Sequence, residues 1–235
     1  MKLILCVPVY NEAEIIQNTI LVLKSTLARL PGEVLWEIVI ADNGSTDDTH
    51  NKVTSILSKE IRFLSIGEKG KGIAIRKTAE LCRGDIFGFI DADLSANPDS
   101  IHKMVQIITQ NQADIVIGSR FMDEKLVNRG FFRRFTSRIF NVIQYVFFGL
   151  DIKDTQCGLK LMNTKAVQVL LECKESTWFL DLEFLYMSKK SKLRISEIPV
   201  IWTEFFYKNR VAKLNVLRDG IYAIIAFIRI KIRYL

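Results

Sequence analysis

The sequence is poor in histidine: His50 and His102 are the only two in 235 residues. Both read as surface helix positions, so histidine-based metal sites and histidine-dependent catalytic triads are not expected. Cysteine is scarce too. Cys6, Cys82, Cys157 and Cys173 form no Cys-x-x-Cys pair, which argues against a zinc site or disulfide framework and for reduced thiols in a cytosolic compartment. Long uncharged apolar runs are missing. The best candidate, residues 214–235, is broken by Arg218, Asp219, Arg229, Lys231 and Arg233, and its longest uncharged stretch, residues 220–228, falls far short of the roughly 20 residues that span a bilayer. Met1-Lys2 leads straight into a strand-like run, so no secretory leader is expected.

What is present fits one large α/β domain. Hydrophobic residues make up 49% of the chain, enough for a sizeable core, and 25% are charged, which is not the composition of a disordered segment. The formal net charge is +7, pointing to an anionic partner. The excess gathers at Arg129, Arg133, Arg134 and Arg138 and again over residues 208–233, interleaved with Phe, Ile, Leu and Tyr. That mixture suits helices lying on a membrane surface, and nucleic acid is not expected as a partner.

Apolar runs at residues 2–7, 35–41, 61–66, 85–90 and 113–118 predict strands. Helical spacing over 12–30, 47–57, 72–82 and 98–111 predicts helices between them, the second capped by Ser45 or Thr46. Four strand–helix repeats with short connections predict a mostly parallel sheet with helices on both faces. Asn11, Glu12, Asp42, Asn43, Lys71, Asp91, Asp93 and Arg120 all follow strand ends and are expected at one edge, where such sheets bind ligands. Beyond Arg120 the pattern predicts a loop, an amphipathic helix over 131–149, a polar turn into a strand over 154–162, helices near 165–171 and 180–190, and a strand over 193–202. Pro199 inside that last strand marks it as an edge. A basic, apolar helix over 214–235 follows a domain of residues 1–213, itself divided into a first half (1–120) and a second (121–213).

Four turns carry chemistry. Asp91-Ala92-Asp93 places two carboxylates one residue apart, which suits Mn²⁺ or Mg²⁺ shared with phosphate oxygens, or else a helix-capping turn. Pro8-Val9-Tyr10-Asn11-Glu12 offers a ring for stacking and a carboxylate, or simply a helix start. Asp42-Asn43-Gly44-Ser45 puts an acceptor where a base N–H could be read. Lys69-Gly70-Lys71-Gly72 opens a helix with a lysine suited to a diphosphate, though an ordinary basic turn reads equally well.

In this order and spacing the four turns resemble the family-two glycosyltransferases, which have the Rossmann-like GT-A fold. The resemblance implies that Pro8, Tyr10, Glu12 and Asp42 line a nucleoside pocket and that Lys71 lies near the diphosphate. It also implies that Asp91, Ala92 and Asp93 contact the diphosphate, with Asp91 and Asp93 at the metal. Gly118-Ser119-Arg120, Arg133 to Ser137, Asp154 to Lys160 and Trp178 to Glu183 resemble the polyprenyl-phosphate group. The final third is most similar to dolichyl-phosphate β-glucosyltransferases, with dolichyl-phosphate mannose synthases next. Thr78, Leu159 and Ala212 depart from residues common in that group, and the last removes one possible hydroxyl donor to phosphate.

The resemblance implies an inverting, metal-dependent hexosyltransferase taking glucose from UDP-glucose to a polyprenyl or dolichyl phosphate. Arg120, Arg133 and Ser137 would hold the acceptor phosphate, and Arg210 and Lys213 would join Lys71 on the donor. Asp154 lies nearest the acceptor, as a general base or only as a charge-balancing group. Asp181 and Glu183 are sugar-facing or structural. The expected location is peripheral, on the cytosolic face of a membrane (endoplasmic reticulum, or a prokaryotic inner membrane), with a homo-oligomer possible. The alternatives are mannose from GDP-mannose, or transfer to a sugar hydroxyl during glycan assembly.

Overall fold

The structure is a computed structural model that describes residues 1–123, 127–128, 141–203 and 216–234. Its elements are β1 (Lys2–Val9), α1 (Ile16–Leu27), β2 (Leu35–Asp42), α2 (Thr49–Thr54), β3 (Ile61–Ser65), α3 (Lys71–Leu81), β4 (Ile86–Phe89), α4 (Ser100–Thr109), β5 (Ile115–Ser119) and β6 (Val127–Asn128). Then come α5 (residues 141–148), β7 (Lys160–Asn163), α6 (Thr164–Glu172), α7 (Leu180–Lys190), β8 (Ile195–Pro199), β9 (Trp202–Thr203) and α8 (Val216–Arg233).

Seven strands form one sheet in the order β3-β2-β1-β4-β7-β5-β8, and β6 pairs with β9. All neighbours in the large sheet run parallel except β7, which runs antiparallel between β4 and β5. The order reverses between β1 and β4. Right-handed crossovers therefore send α1 and α2 to one face and α3 to the other, leaving a crevice at the strand ends where the direction switches. Burial on both faces explains why β1 and β2 are continuous apolar runs: Leu3 to Val9 and Glu37 to Asp42 are all buried. The helices bury single stripes, such as Ile101, Met104, Val105 and Ile108 of α4.

Two expectations are corrected. Ser45 and Thr46 do not cap α2, because Ser45 turns back to Asp42 and Thr46 bonds Asn11. The strand expected over 193–202 divides: after Pro199, at the edge of the sheet, the chain leaves β5, with Ile201 O accepting from Asn97 N–H (2.9 Å) and Thr203 N–H donating to Ser95 O (2.9 Å). Arg229 and Arg233 reach inward to Glu175 and Glu183, while Ala223, Ala226, Phe227 and Ile230 are buried. Ile224, Ile225, Ile228 and Ile232 of α8 are exposed and form an apolar strip beside the half-exposed Arg229. Val142, Tyr145, Val146 and Phe147 of α5 are exposed too, and Phe147 packs 6.1 Å from Phe227. No helix among the described residues is long and apolar enough to cross a membrane.

Candidate active site

The C-terminal ends of β1, β2, β4 and β5 and the start of β7 share one edge of the sheet. The turns after β1 and β2 are stitched together there. Asn11, at φ 55°, donates its N–H to Ser45 Oγ (2.9 Å) and accepts from Thr46 N–H (2.7 Å), and Glu12 N–H donates to Thr49 Oγ1 (2.9 Å). Asn43 donates to Val9 O (2.8 Å) and accepts from Gly70 N–H (3.3 Å), which ties in the turn before α3. Pro8, Tyr10, Glu12 and Asp42 thus come together. Asp42 is buried, its Oδ1 held by Ser45 N–H (3.1 Å) and hydroxyl, and Lys69 Nζ stands 5.1 Å from the centre of the Tyr10 ring.

Lys71 is the first residue of α3. Its Nζ lies 2.6 Å from Asp91 Oδ1 and 3.9 Å from Asp181 Oδ2. Burial opposes its charge, but the Asp91 and Asp181 carboxylates prevail and raise it above the ordinary lysine range. Asp91 rests against backbone: a Cβ on Gly158 would lie 2.0 Å from Asp91 Oδ2. Thr19 Oγ1 donates to Ala92 O (2.7 Å), and Asp93 Oδ1 accepts from Ser95 N–H (3.1 Å), fixing the turn between the two acids. Their oxygen-only donor set fits Mn²⁺ or Mg²⁺. No third His, Cys, Asp or Glu completes a metal cluster among the described residues, so phosphate oxygens and water would supply the rest of the shell.

At the end of β5, Arg120 forks onto Asp154: Nε to Oδ2 and Nη2 to Oδ1 are both 2.6 Å, and Arg120 N–H reaches Oδ2 at 2.9 Å. Asp154 is 1% exposed, and Glu197 accepts its backbone N–H at 3.0 Å. The guanidinium lies 4.7 Å from the Trp202 ring. Asp154 is therefore engaged through both oxygens rather than open as a base. Arg133, Ser137, Arg210 and Lys213 lie outside the described residues.

Two groups escape sequence patterning. Lys160, at 0% exposure, bonds Asp181 and donates to Cys157 O (2.6 Å). Apart from closing the Asp154 to Lys160 stretch, its signal is a lysine set within the apolar run Leu159 to Met162. Gly158 stands in the stretch that resembles the polyprenyl-phosphate group, but its close approach to Asp91 has no signal in the residues around it.

The Glycosyl transferase family 2 model matches residues 4–171. The chain belongs to that family. Among curated relatives, the glycosyltransferase AglD of Haloferax volcanii is 29% identical over 199 residues, covering 83% of this chain and 32% of that protein. The dolichyl-phosphate beta-glucosyltransferase of Dictyostelium discoideum is 32% identical over 212 residues, covering 85% and 64%. The chain thus spans between about a third and two-thirds of the length of these relatives. Among solved structures, the glucosyl-3-phosphoglycerate synthase of Mycobacterium tuberculosis, in complex with Mn²⁺, UDP and phosphoglyceric acid, superposes with a TM-score of 0.72 at 16% identity over 98% of this chain and 78% of that one. At that identity the likeness carries the fold, and it agrees with the GT-A architecture expected from the sequence.

Proposed function

We propose that this family-two glycosyltransferase moves a hexose, glucose from UDP-glucose, onto the phosphate of a polyprenyl or dolichyl lipid, with inversion at the anomeric carbon. The observation that carries the reading is the state of Asp154. A sugar-hydroxyl acceptor needs a free base, whereas Asp154 is buried with both oxygens on Arg120. A lipid monophosphate needs none, because its second pKa is near 6 and it is largely dianionic at neutral pH. The relatives named as dolichyl-phosphate beta-glucosyltransferases support the same acceptor and sugar.

In this reaction an acceptor phosphate oxygen attacks the anomeric carbon, the bond from that carbon to the β-phosphate oxygen breaks, and UDP departs with the electron pair. No proton changes hands. Tyr10 and Asp42 hold the nucleoside, Lys71 faces the diphosphate, and Arg120, fixed by Asp154 and Trp202, presents positive charge to the acceptor. Arg133, Ser137, Arg210 and Lys213 complete the phosphate contacts. Asp91 and Asp93 would hold Mn²⁺ or Mg²⁺, which adds positive charge beside the leaving diphosphate when bound.

The exposed apolar sides of α5 and α8 favour work at a membrane surface, on the cytosolic face where nucleotide sugars are available. The test is transfer of labelled glucose from UDP-glucose into organic-extractable lipid, using the protein, dolichyl phosphate and Mn²⁺, with GDP-mannose in parallel. Label in the lipid phase from UDP-glucose, lost with EDTA, is the expected result. Label only from GDP-mannose would keep the mechanism and change the sugar. Label from neither, in protein that binds UDP, would reject the lipid-phosphate acceptor.

A further inference from the structure

The Lys71 turn and the last helix meet on one short segment, residues 173–177. On one side α3 rests on it. Gly72 and Ile73 donate their N–H groups to Ser176 O (2.9 and 3.3 Å), and Arg76 donates to Cys173 O. The contact is close enough to require glycine: a Cβ on Gly72 would lie 2.6 Å from Glu175 O, and one on Gly70, which has φ 146°, only 2.3 Å from Ser176 O.

On the other side α8 grips the same segment through two buried carboxylates. Glu183, at 0% exposure, accepts the N–H groups of Lys174 (2.8 Å) and Glu175 (2.6 Å) on Oε2, and Arg233 Nη1 (2.6 Å) and the Tyr234 hydroxyl (2.9 Å) on Oε1. Glu175, at 2% exposure, accepts Arg229 Nε (2.8 Å), Arg229 Nη2 and Arg233 Nη1 (3.3 Å). Buried carboxylates are tolerated only when paired. Among the described residues their ion-pair partners are both on α8.

We propose that Glu175 and Glu183 are positioning residues for the donor site: seated against Arg229 and Arg233 of α8 and Tyr234 just beyond it, they hold the Ser176 carbonyl that sets the Lys71 turn, so that affinity for a nucleoside diphosphate depends on α8 being in place. The proposal rests on the reading that Lys71 faces the diphosphate. Its consequence is that the helix with the exposed apolar strip is also the helix that completes the donor site. Arrival at a lipid surface and readiness to bind the donor become one equilibrium.

The experiment measures UDP affinity calorimetrically with Mn²⁺ and no lipid. It compares the full chain with R229M/R233M, R229K/R233K, K71M, and K71M combined with R229M/R233M. Losing both arginines is expected to weaken UDP binding about five- to twentyfold, within the range of measured couplings between sites. Lysines should restore part of it, since they keep the charge without the fork. In the K71M background the arginine changes should add less than twofold, as coupled sites are non-additive. If R229M/R233M fails to fold by circular dichroism, the lysine pair carries the test, and a change below twofold there overturns the proposal. K71M weakening UDP while both arginine variants bind like the parent would reduce α8 to an anchor and overturn it. K71M binding UDP as tightly as the parent would remove the diphosphate reading itself, and the proposal with it.

Discussion

Lys71 and Asp91 form an ion pair of 2.6 Å between the first turn of α3 and the turn after β4, so the cation and one acid of the proposed donor site neutralise each other. On the proposed reading a diphosphate divides this pair, and Asp181, 3.9 Å from the same ammonium, is its second counter-charge. Lys71→Met leaves Asp91 without its cation, while Asp181 keeps Lys160. The KM for UDP-glucose should rise about tenfold or more, the scale of one charge-assisted phosphate contact, with a smaller change in kcat. Steady-state kinetics at saturating acceptor checks this, and an unchanged KM would place the diphosphate elsewhere.

Gly158→Ala tests the same acid from the opposite side. The new methyl would stand 2.0 Å from Asp91 Oδ2 and 2.4 Å from Cγ, so the carboxylate must swing away. Because a side chain yields more readily than backbone, the fold should survive while kcat/KM falls about 100-fold, as expected for a misplacement of roughly 1 Å in an active site. A thermal melt beside the kinetics separates the two effects.

Asp154→Asn distinguishes a base from a brace. If Asp154 only served as a base, turnover would fall at unchanged stability. With the fork to Arg120 broken and the guanidinium still buried, we expect a loss of about 3 kcal/mol, a fall in Tm of about 6–12 °C, together with a raised KM for lipid phosphate. Calorimetry and acceptor titration read the two quantities.

Much of the fold was legible because its signals are local. The strand–helix alternation through β5, the edge position marked by Pro199, and α7 over Leu180–Lys190 all follow from periodicity and breakers. The turns after β1, β2 and β4 were legible as a set, since a parallel sheet must bring its strand ends together. What stayed hidden depends on partners far along the chain. Nothing near Lys160 announces that Asp181, 21 positions away, will hold its ammonium in the core. The pairing of Arg229 and Arg233 with Glu175 and Glu183 is hidden in the same way, since those carboxylates lie 50 to 58 positions upstream. The insertion of β7 between β4 and β5 is likewise a matter of topology rather than pattern.

The exposed apolar strip of α8 should be separable from the rest. Ile225→Glu with Ile228→Glu alters two exposed positions and neither arginine. Partition onto anionic phospholipid vesicles should fall about tenfold or more, since each change removes apolar burial and adds repulsion. Co-sedimentation checks it, and equal binding would move the lipid contact off this helix.

Asp114 supplies an acid-dependent part of the stability. It accepts from Arg194 N–H (2.9 Å), Nε (3.1 Å) and Nη2 (3.2 Å) and from Asn163 Nδ2 (2.9 Å). The Arg194 side chain, acting against burial, lowers its pKa from 3.8 to about 2. A depressed carboxylate stabilises the fold above its unfolded pKa, and this contribution is lost as pH falls from about 4 towards 2. The parent should lose about 2 kcal/mol more than Asp114→Asn across that interval. Denaturant melts at pH 6, 4, 3 and 2 follow it.

The antiparallel β7 also limits how this chain can be recombined. It is hydrogen-bonded to β4 on one side and β5 on the other, with Lys160 opposite both Phe89 and Ile117. A chimera that takes residues 121–213 from a relative to change acceptor preference would bring a foreign strand into the middle of the resident sheet, in a register set from two directions at once. Grafts that keep residues 156–163 from the parent that supplies β4 and β5, and exchange only what lies on either side, should fold where whole-half exchanges fail.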